Sequence, residues 1–328
     1  MPARFTIPVP PDYSLTRDAC SYGYFLLSPN HWDPRTETLT RVLDLEGGPA
    51  RIVIAQPRAD GKPGPSRISK ASHFTRGADL ACTSDRRLAK REITEASGLI
   101  ARMLRLDDDA TTIRAYHKVD PRFKALGRGR LFRSPTLFED IIKTVTSCNV
   151  QWPSTVVMNE RLCAVVGDGG AFPSARKLAR ARASTLRARC RVGYRDRRII
   201  ELSEMFASGE IDPHWCEDPA TSDEDLREFL IDLPGIGPYA AANIMQLLGR
   251  YHLLPLDSES VRHGKAILGM EGSDKAIMKM IDAHFAPFGP HKFRSYWFEL
   301  WEFYEQKRGP SWTWERETTG KTFTASQL

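Results

Sequence analysis

Cysteine is scarce and scattered in this 328-residue chain: Cys20, Cys82, Cys148, Cys163, Cys190 and Cys216 form no C-x-x-C pair. That spacing suits neither a zinc site nor a disulfide framework, and it predicts a reduced intracellular protein without a metal. Long apolar runs are missing too. No stretch of 18 apolar residues occurs, and the N-terminus MPARFTIPVPPDYSL lacks the apolar core of a secretory leader. Neither a membrane span nor secretion is expected. Acidic residues are outnumbered, 41 against 47 basic, for a net charge of +6 and a pI of about 9.0. Such an excess fits a polyanionic partner without requiring one.

The shortage of acids is sharpest between Ser174 and Arg198, where ten basic residues face one acid, Asp196. Salt bridges within helices cannot account for that run. It is either a solvated face or a surface that meets phosphate, with Arg191 and Arg195 as candidate contacts.

What is present divides the chain in two. From Ser21 to Ser84, Tyr22–Leu27, Thr38–Leu45 and Arg51–Gln56 are rich in aromatic and β-branched residues. Turn-forming residues at Asn30–Arg35, Glu46–Pro49 and Asp60–Pro65 separate them, which predicts an antiparallel sheet of four or five strands with one wet face. After Arg86 the periodicity becomes helical. Glu92–Leu106 is amphipathic, and Ser134-Pro135 caps and opens a helix whose apolar face is Phe138, Ile141, Ile142 and Val145. A second helix starts at Pro153, leaving Asn149, Gln151 and Trp152 on a short polar turn. Tyr296–Tyr304 is an aromatic helix, mostly core, with one or two rings free to face a cavity. The fold class is α+β: a sheet domain over 1–90, a helical domain over 91–315, and a polar, disordered tail over 316–328.

The helical domain is organised around Asp232–His263. Leu233-Pro234-Gly235-Ile236-Gly237 reads as a tight hairpin, and Pro238 suits the first position of a helix reaching Leu248. Gly235, Ile236 and Gly237 would offer backbone amides at the positive end of a helix dipole, a phosphate-sized anion site. Asp257 lies twenty residues past Gly237, where the extended Leu254-Pro255-Leu256 meets another helix. An aspartate there can cap that helix, act in catalysis, or both.

This combination resembles the helix-hairpin-helix DNA glycosylases, in particular the alkylated-base and 8-oxoguanine group. The likeness extends to Ser21–Leu27, to Ser134–Glu139, to Cys148–Trp152, and to Val192-Gly193-Tyr194-Arg195. It implies an N-terminal sheet domain followed by a helix-hairpin-helix glycosylase domain acting in base excision repair. Asp257 would be catalytic, Tyr239 with Trp297 or Trp301 would line the base pocket, and Asn149 with Gln151 and Trp152 would fill the vacated stack. The partner would be double-stranded DNA carrying damaged bases, met as a monomer in the cytoplasm or nucleoid (the nucleus in a eukaryote). Two departures narrow the chemistry. Bifunctional relatives carry a Schiff-base lysine two residues past the last hairpin glycine, where this chain has Tyr239, and a phenol forms no imine. Relatives with an iron–sulfur cluster hold it on four C-terminal cysteines, and the last cysteine here is Cys216, before the hairpin. The expectation is a monofunctional glycosylase for alkylated bases, with no cofactor and room for a monovalent cation at the hairpin. The rival readings are a bifunctional glycosylase/lyase and a DNA-binding module without chemistry.

Overall fold

The computed structural model describes residues 1–57 and 78–320. Five strands form one antiparallel sheet: β1 (Arg4–Ile7), β2 (Asn30–Asp33), β3 (Thr38–Leu45), β4 (Gly48–Ala55) and β5 (Leu80–Ser84), in the order β1-β5-β4-β3-β2. Glu46 and Gly47 alone join β3 to β4, because Leu45 pairs directly with Gly48. Ala50, Ile52 and Ile54 are buried along β4 while Arg51 and Val53 between them are exposed, the alternation of a sheet with one wet face.

The sheet departs from expectation at its margins. Tyr22–Leu27 is not a strand: Gly23–Leu26 forms a 3-10 turn whose aromatic side chains are needed elsewhere. The turn expected over Asn30–Arg35 contains edge strand β2 instead. The turn expected over Asp60–Pro65 lies outside the described residues.

The helices fall close to their expected places. The amphipathic helix spans Lys90–Met103, and the next long one spans Leu137–Ser147. Its cap is Thr136, not Ser134, since the Thr136 hydroxyl accepts the Glu139 amide. A helix over Trp152–Val165 follows with Pro153 in its first turn, and the aromatic helix runs from Lys292 to Arg308. Among the described residues, no helix is long and apolar enough to cross a membrane. The tail is ordered further than its composition suggests: Arg316–Gly320 is helical, and the Arg316 guanidinium donates to the Leu26 carbonyl at 3.0 Å.

Two buried clusters hold the chain together. One joins the sheet to the helices Lys90–Met103 and Lys292–Arg308, and the other packs the helices between Leu137 and Met245. Each fully buried side chain of leucine size contributes roughly 1.5–3 kcal/mol of transfer free energy. Across the seam, Arg41 of β3 donates to Glu139, which Lys143 also approaches at 2.7 Å. A cavity opens along the same seam.

Candidate active site

The hairpin begins where the helix Asp223–Asp232 ends. Gly235 has φ of +77°, a left-handed conformation that disfavours any side chain, and a Cβ there would collide with the side chain of Arg198. Gly237 has an ordinary extended φ of −96°, and a Cβ on it would meet nothing. Only the first of the two glycines is therefore required by the fold. Ile236 is buried and its amide bonds back to the Leu233 carbonyl at 3.0 Å. Gly237 caps the helix Pro238–Leu247 with no side chain to fill its first-turn amides. Among the described residues, the exposed Gly235 and Gly237 make no amide hydrogen bond. That leaves donors at a helix N-terminus, where an anion is favoured.

Asp257 takes both roles open to it. Its Oδ1 accepts the amides of Glu259 at 2.9 Å and Ser260 at 3.0 Å, capping the helix Ser258–Ala266. None of these capping bonds uses Oδ2. The Tyr239 hydroxyl also hydrogen-bonds this carboxylate. Burial raises the Asp257 carboxyl above the usual aspartate range, and the Ser260 amide and Tyr239 hydroxyl only partly oppose it. Burial and the Asp257 charge likewise push the Tyr239 phenol well above its ordinary value.

Asp257 opens into a cavity of about 420 Å³. Its walls are mainly aromatic: Tyr22, Tyr24, Trp152, Tyr239, Tyr296, Trp297, Trp301, Tyr304 and Trp314. Trp297 and Trp301 stack with centroids 5.2 Å apart, Tyr22 sits 4.7 Å from Trp297, and the Trp297 indole donates to the Ser21 carbonyl at 2.8 Å. Among the described residues, no lysine, arginine or histidine lines this cavity. The cavity holds a second carboxylate, Glu259, but Arg262 grips it (Nε at 3.1 Å) and the Tyr304 hydroxyl donates to it. Lys265 faces away, exposed and paired with Asp274 at 3.2 Å. Among the described residues no group of three or more His, Cys, Asp or Glu is gathered to hold a metal.

The three pocket candidates Tyr239, Trp297 and Trp301 therefore line the same cavity as Asp257. Sequence reading missed Tyr22, Tyr24, Asn243 and Trp314, and left open which rings of the aromatic helix face the cavity, where Tyr296 and Tyr304 also stand. The Tyr-Gly-Tyr at 22–24 was the available signal, but it read as strand.

The polar turn behaves as expected at its tip and differently at its base. Asn149 is exposed with φ of +53°, and Gln151 is exposed at the cavity mouth. Trp152 does not join them on the tip. Its ring lies in the cavity wall against Gly23, where a Cβ would come within 3.0 Å of it.

Arg195 requires a correction as well. It is 4% exposed, so it is not placed to reach a phosphate. Its guanidinium donates to the carbonyls of Val145 at 3.1 Å, Val192 at 3.3 Å and Cys148, bracing the turn that carries Asn149. Arg191 is exposed, as are Arg176, Arg180, Arg182, Arg189, Arg197 and Arg198. Arg187 is paired with Asp196 at 2.7 Å, and Lys177 with Asp168.

No family model and no curated protein matches this sequence. Solved structures do. The 3-methyladenine DNA glycosylase of Archaeoglobus fulgidus is 17% identical with a TM-score of 0.58, over 92% of this chain and 98% of that one. The 8-oxoguanine glycosylase/lyase of Clostridium acetobutylicum is also 17% identical with a TM-score of 0.59, over 88% and 93%. A complex of MBOgg1 with a low-affinity DNA ligand gives 17% identity and a TM-score of 0.61, over 92% and 96%. At this identity the likeness is one of architecture: the chain has the fold of the helix-hairpin-helix DNA glycosylases.

Proposed function

We propose that the protein is a monofunctional DNA glycosylase that flips a damaged, alkylated base into the cavity and hydrolyses its N-glycosidic bond. The observation that carries this reading is a carboxylate, Asp257, that among the described residues has no cationic partner and no amine beside it in an aromatic cavity. Breaking the glycosidic bond builds positive charge on the deoxyribose, as in glycoside hydrolysis. A fixed carboxylate in a water-poor site stabilises that charge and orients the attacking water. Alkylated purines already carry a positive charge and leave readily, so no strong general acid is needed. Aromatic walls favour such a ring by a cation–π contribution of about 0.5–2 kcal/mol.

The remaining parts support the same reading. The Gly235 and Gly237 amides hold a backbone phosphate, and Asn149 with Gln151 fills the gap left by the flipped base. Extrusion costs a few kcal/mol, least for a damaged base. The test is incubation with duplexes each carrying one defined lesion, scored for strand breaks before and after hot alkali, with borohydride present in parallel. The expected result is base release without a trapped adduct, and breaks only after alkali. A borohydride-trapped adduct would establish amine catalysis in its place, and release from no lesion would leave a DNA-binding module. Gly237→Val, which the fold accommodates, should weaken binding to damaged and undamaged duplex alike, because phosphate contacts carry no sequence information.

A further inference from the structure

Resting on the glycosylase reading, we infer that Asn243 makes the cavity selective for adenine-type bases by reading the N6/N7 edge of the flipped ring. Asn243 stands one helical turn beyond Tyr239 and lines the cavity, 8% exposed. Its Nδ2 donates to the Tyr239 backbone carbonyl at 3.2 Å. That oxygen can only accept, which fixes which way round the amide sits. On the other side the Tyr22 hydroxyl lies 3.4 Å from Oδ1, a long contact. An asparagine amide has two N–H donors and two acceptor lone pairs. One donor and at least one lone pair are therefore left on the cavity wall.

Among the lining residues that are not exposed, the other polar groups do not duplicate this, whereas the Gln151 amide is exposed at the mouth. The Ser147 hydroxyl donates to the Thr144 carbonyl of its own helix, the Thr155 hydroxyl to the Thr146 carbonyl of the preceding helix, and Glu259 is occupied by Arg262 and Tyr304. A donor beside an acceptor on one planar amide is the complement of the adenine edge, whose N6 amino group donates and whose N7 accepts. An adenine alkylated at N3 keeps both groups. Guanine-type rings present O6 in place of the amino group, so the Asn243 oxygen would face a lone pair. A methyl on N7 removes the second partner. Rejection of this kind is strong because the mismatched edge leaves a buried polar group unpaired.

DNA methylated with dimethyl sulfate carries both 3-methyladenine and 7-methylguanine, and chromatography of the freed bases measures their release by the full-length protein above the enzyme-free rate. The wild type should favour 3-methyladenine, and Asn243→Leu should lower the ratio of the two rates by about tenfold, the scale of one bidentate base contact. Asn243→Ser carries the same expectation with a smaller polar side chain, and keeps the test intact should leucine disturb the packing. An unchanged ratio in both variants, or a wild-type preference for 7-methylguanine, would overturn the role of Asn243 while leaving glycosylase activity standing. Failure of the wild type to release either base, or any base from the defined-lesion duplexes, would overturn both readings.

Discussion

Asp257 and Glu259 sit two residues apart at the start of one helix and line the same cavity, yet their surroundings differ. Glu259 has a cation, Arg262, along both its oxygens. Among the described residues Asp257 is held by dipoles alone: two backbone amides, the Ser260 hydroxyl and the Tyr239 phenol. An ion pair has little field left to offer a third group. A carboxylate held by dipoles keeps its net charge and directs it at whatever enters. The cavity thus contains one carboxylate available to a cationic sugar or base and one that positions Tyr304, a difference that composition alone does not reveal.

The comparison breaks first at Asp257. Asp257→Asn should slow base release by about 10³-fold or more, the scale of losing a preorganised electrostatic group, with duplex binding largely kept. Single-turnover release alongside a binding titration checks it, and unchanged turnover would leave Asp257 as a cap only. The same variant should melt at an equal or higher temperature near neutral pH. Because the folded-state carboxyl is raised, its charge opposes folding at high pH, and that cost is relieved as pH falls through the raised value. Asparagine caps a helix about as well as aspartate.

Tyr239→Phe sharpens the contrast by removing one of the dipoles that hold Asp257 ionised. The carboxyl should rise further, so the acid limb of the pH–rate profile should move to higher pH. The loss should be about tenfold on that limb, the scale of a hydrogen bond to a charged group, and small on the alkaline side. A uniform loss at all pH values would mean that the phenol serves packing rather than charge. Arg262→Leu works from the other carboxylate. Stripped of its cation, Glu259 would repel Asp257 more strongly, again moving the acid limb upward, by a smaller amount because the pair is partly solvated. The smallest change is expected from Glu259→Gln: about threefold or less in turnover at neutral pH, since it deletes a charge already neutralised. A loss from Glu259→Gln as large as that from Asp257→Asn would end the distinction between the two.

The hairpin and Asp257 were legible in the sequence because both depend on local backbone chemistry: a positive φ at Gly235, a proline opening a helix, an aspartate at a cap. The cavity was legible only in part. Its walls come from a 3-10 turn near the N-terminus, the hairpin helix, the aromatic helix and Trp314, brought together by packing that no periodicity encodes. Tyr22–Leu27 read as a strand because aromatic residues favour strands, and tertiary demand for those rings at the seam prevailed. Arg195 illustrates the limit of counting charges. In a run of ten basic residues it resembles its neighbours, yet it alone of the two phosphate candidates is spent on backbone carbonyls.

On the proposed function, that bracing by Arg195 has a consequence for the kinetics of searching DNA. A loop that must order itself on insertion loses conformational entropy in every trial, at roughly 1–2 kcal/mol per residue. Here the carbonyls of Val145 and Cys148, on the side where the chain enters the turn, are fixed to one buried guanidinium, so part of that ordering is completed when the chain folds. In the proposed glycosylase, Asn149 would therefore arrive at each base pair partly shaped for entry. On that function, a protein interrogating many undamaged pairs for each lesion would meet a smaller ordering cost each time, and the lesion's own weak pairing would weigh more in where it stops.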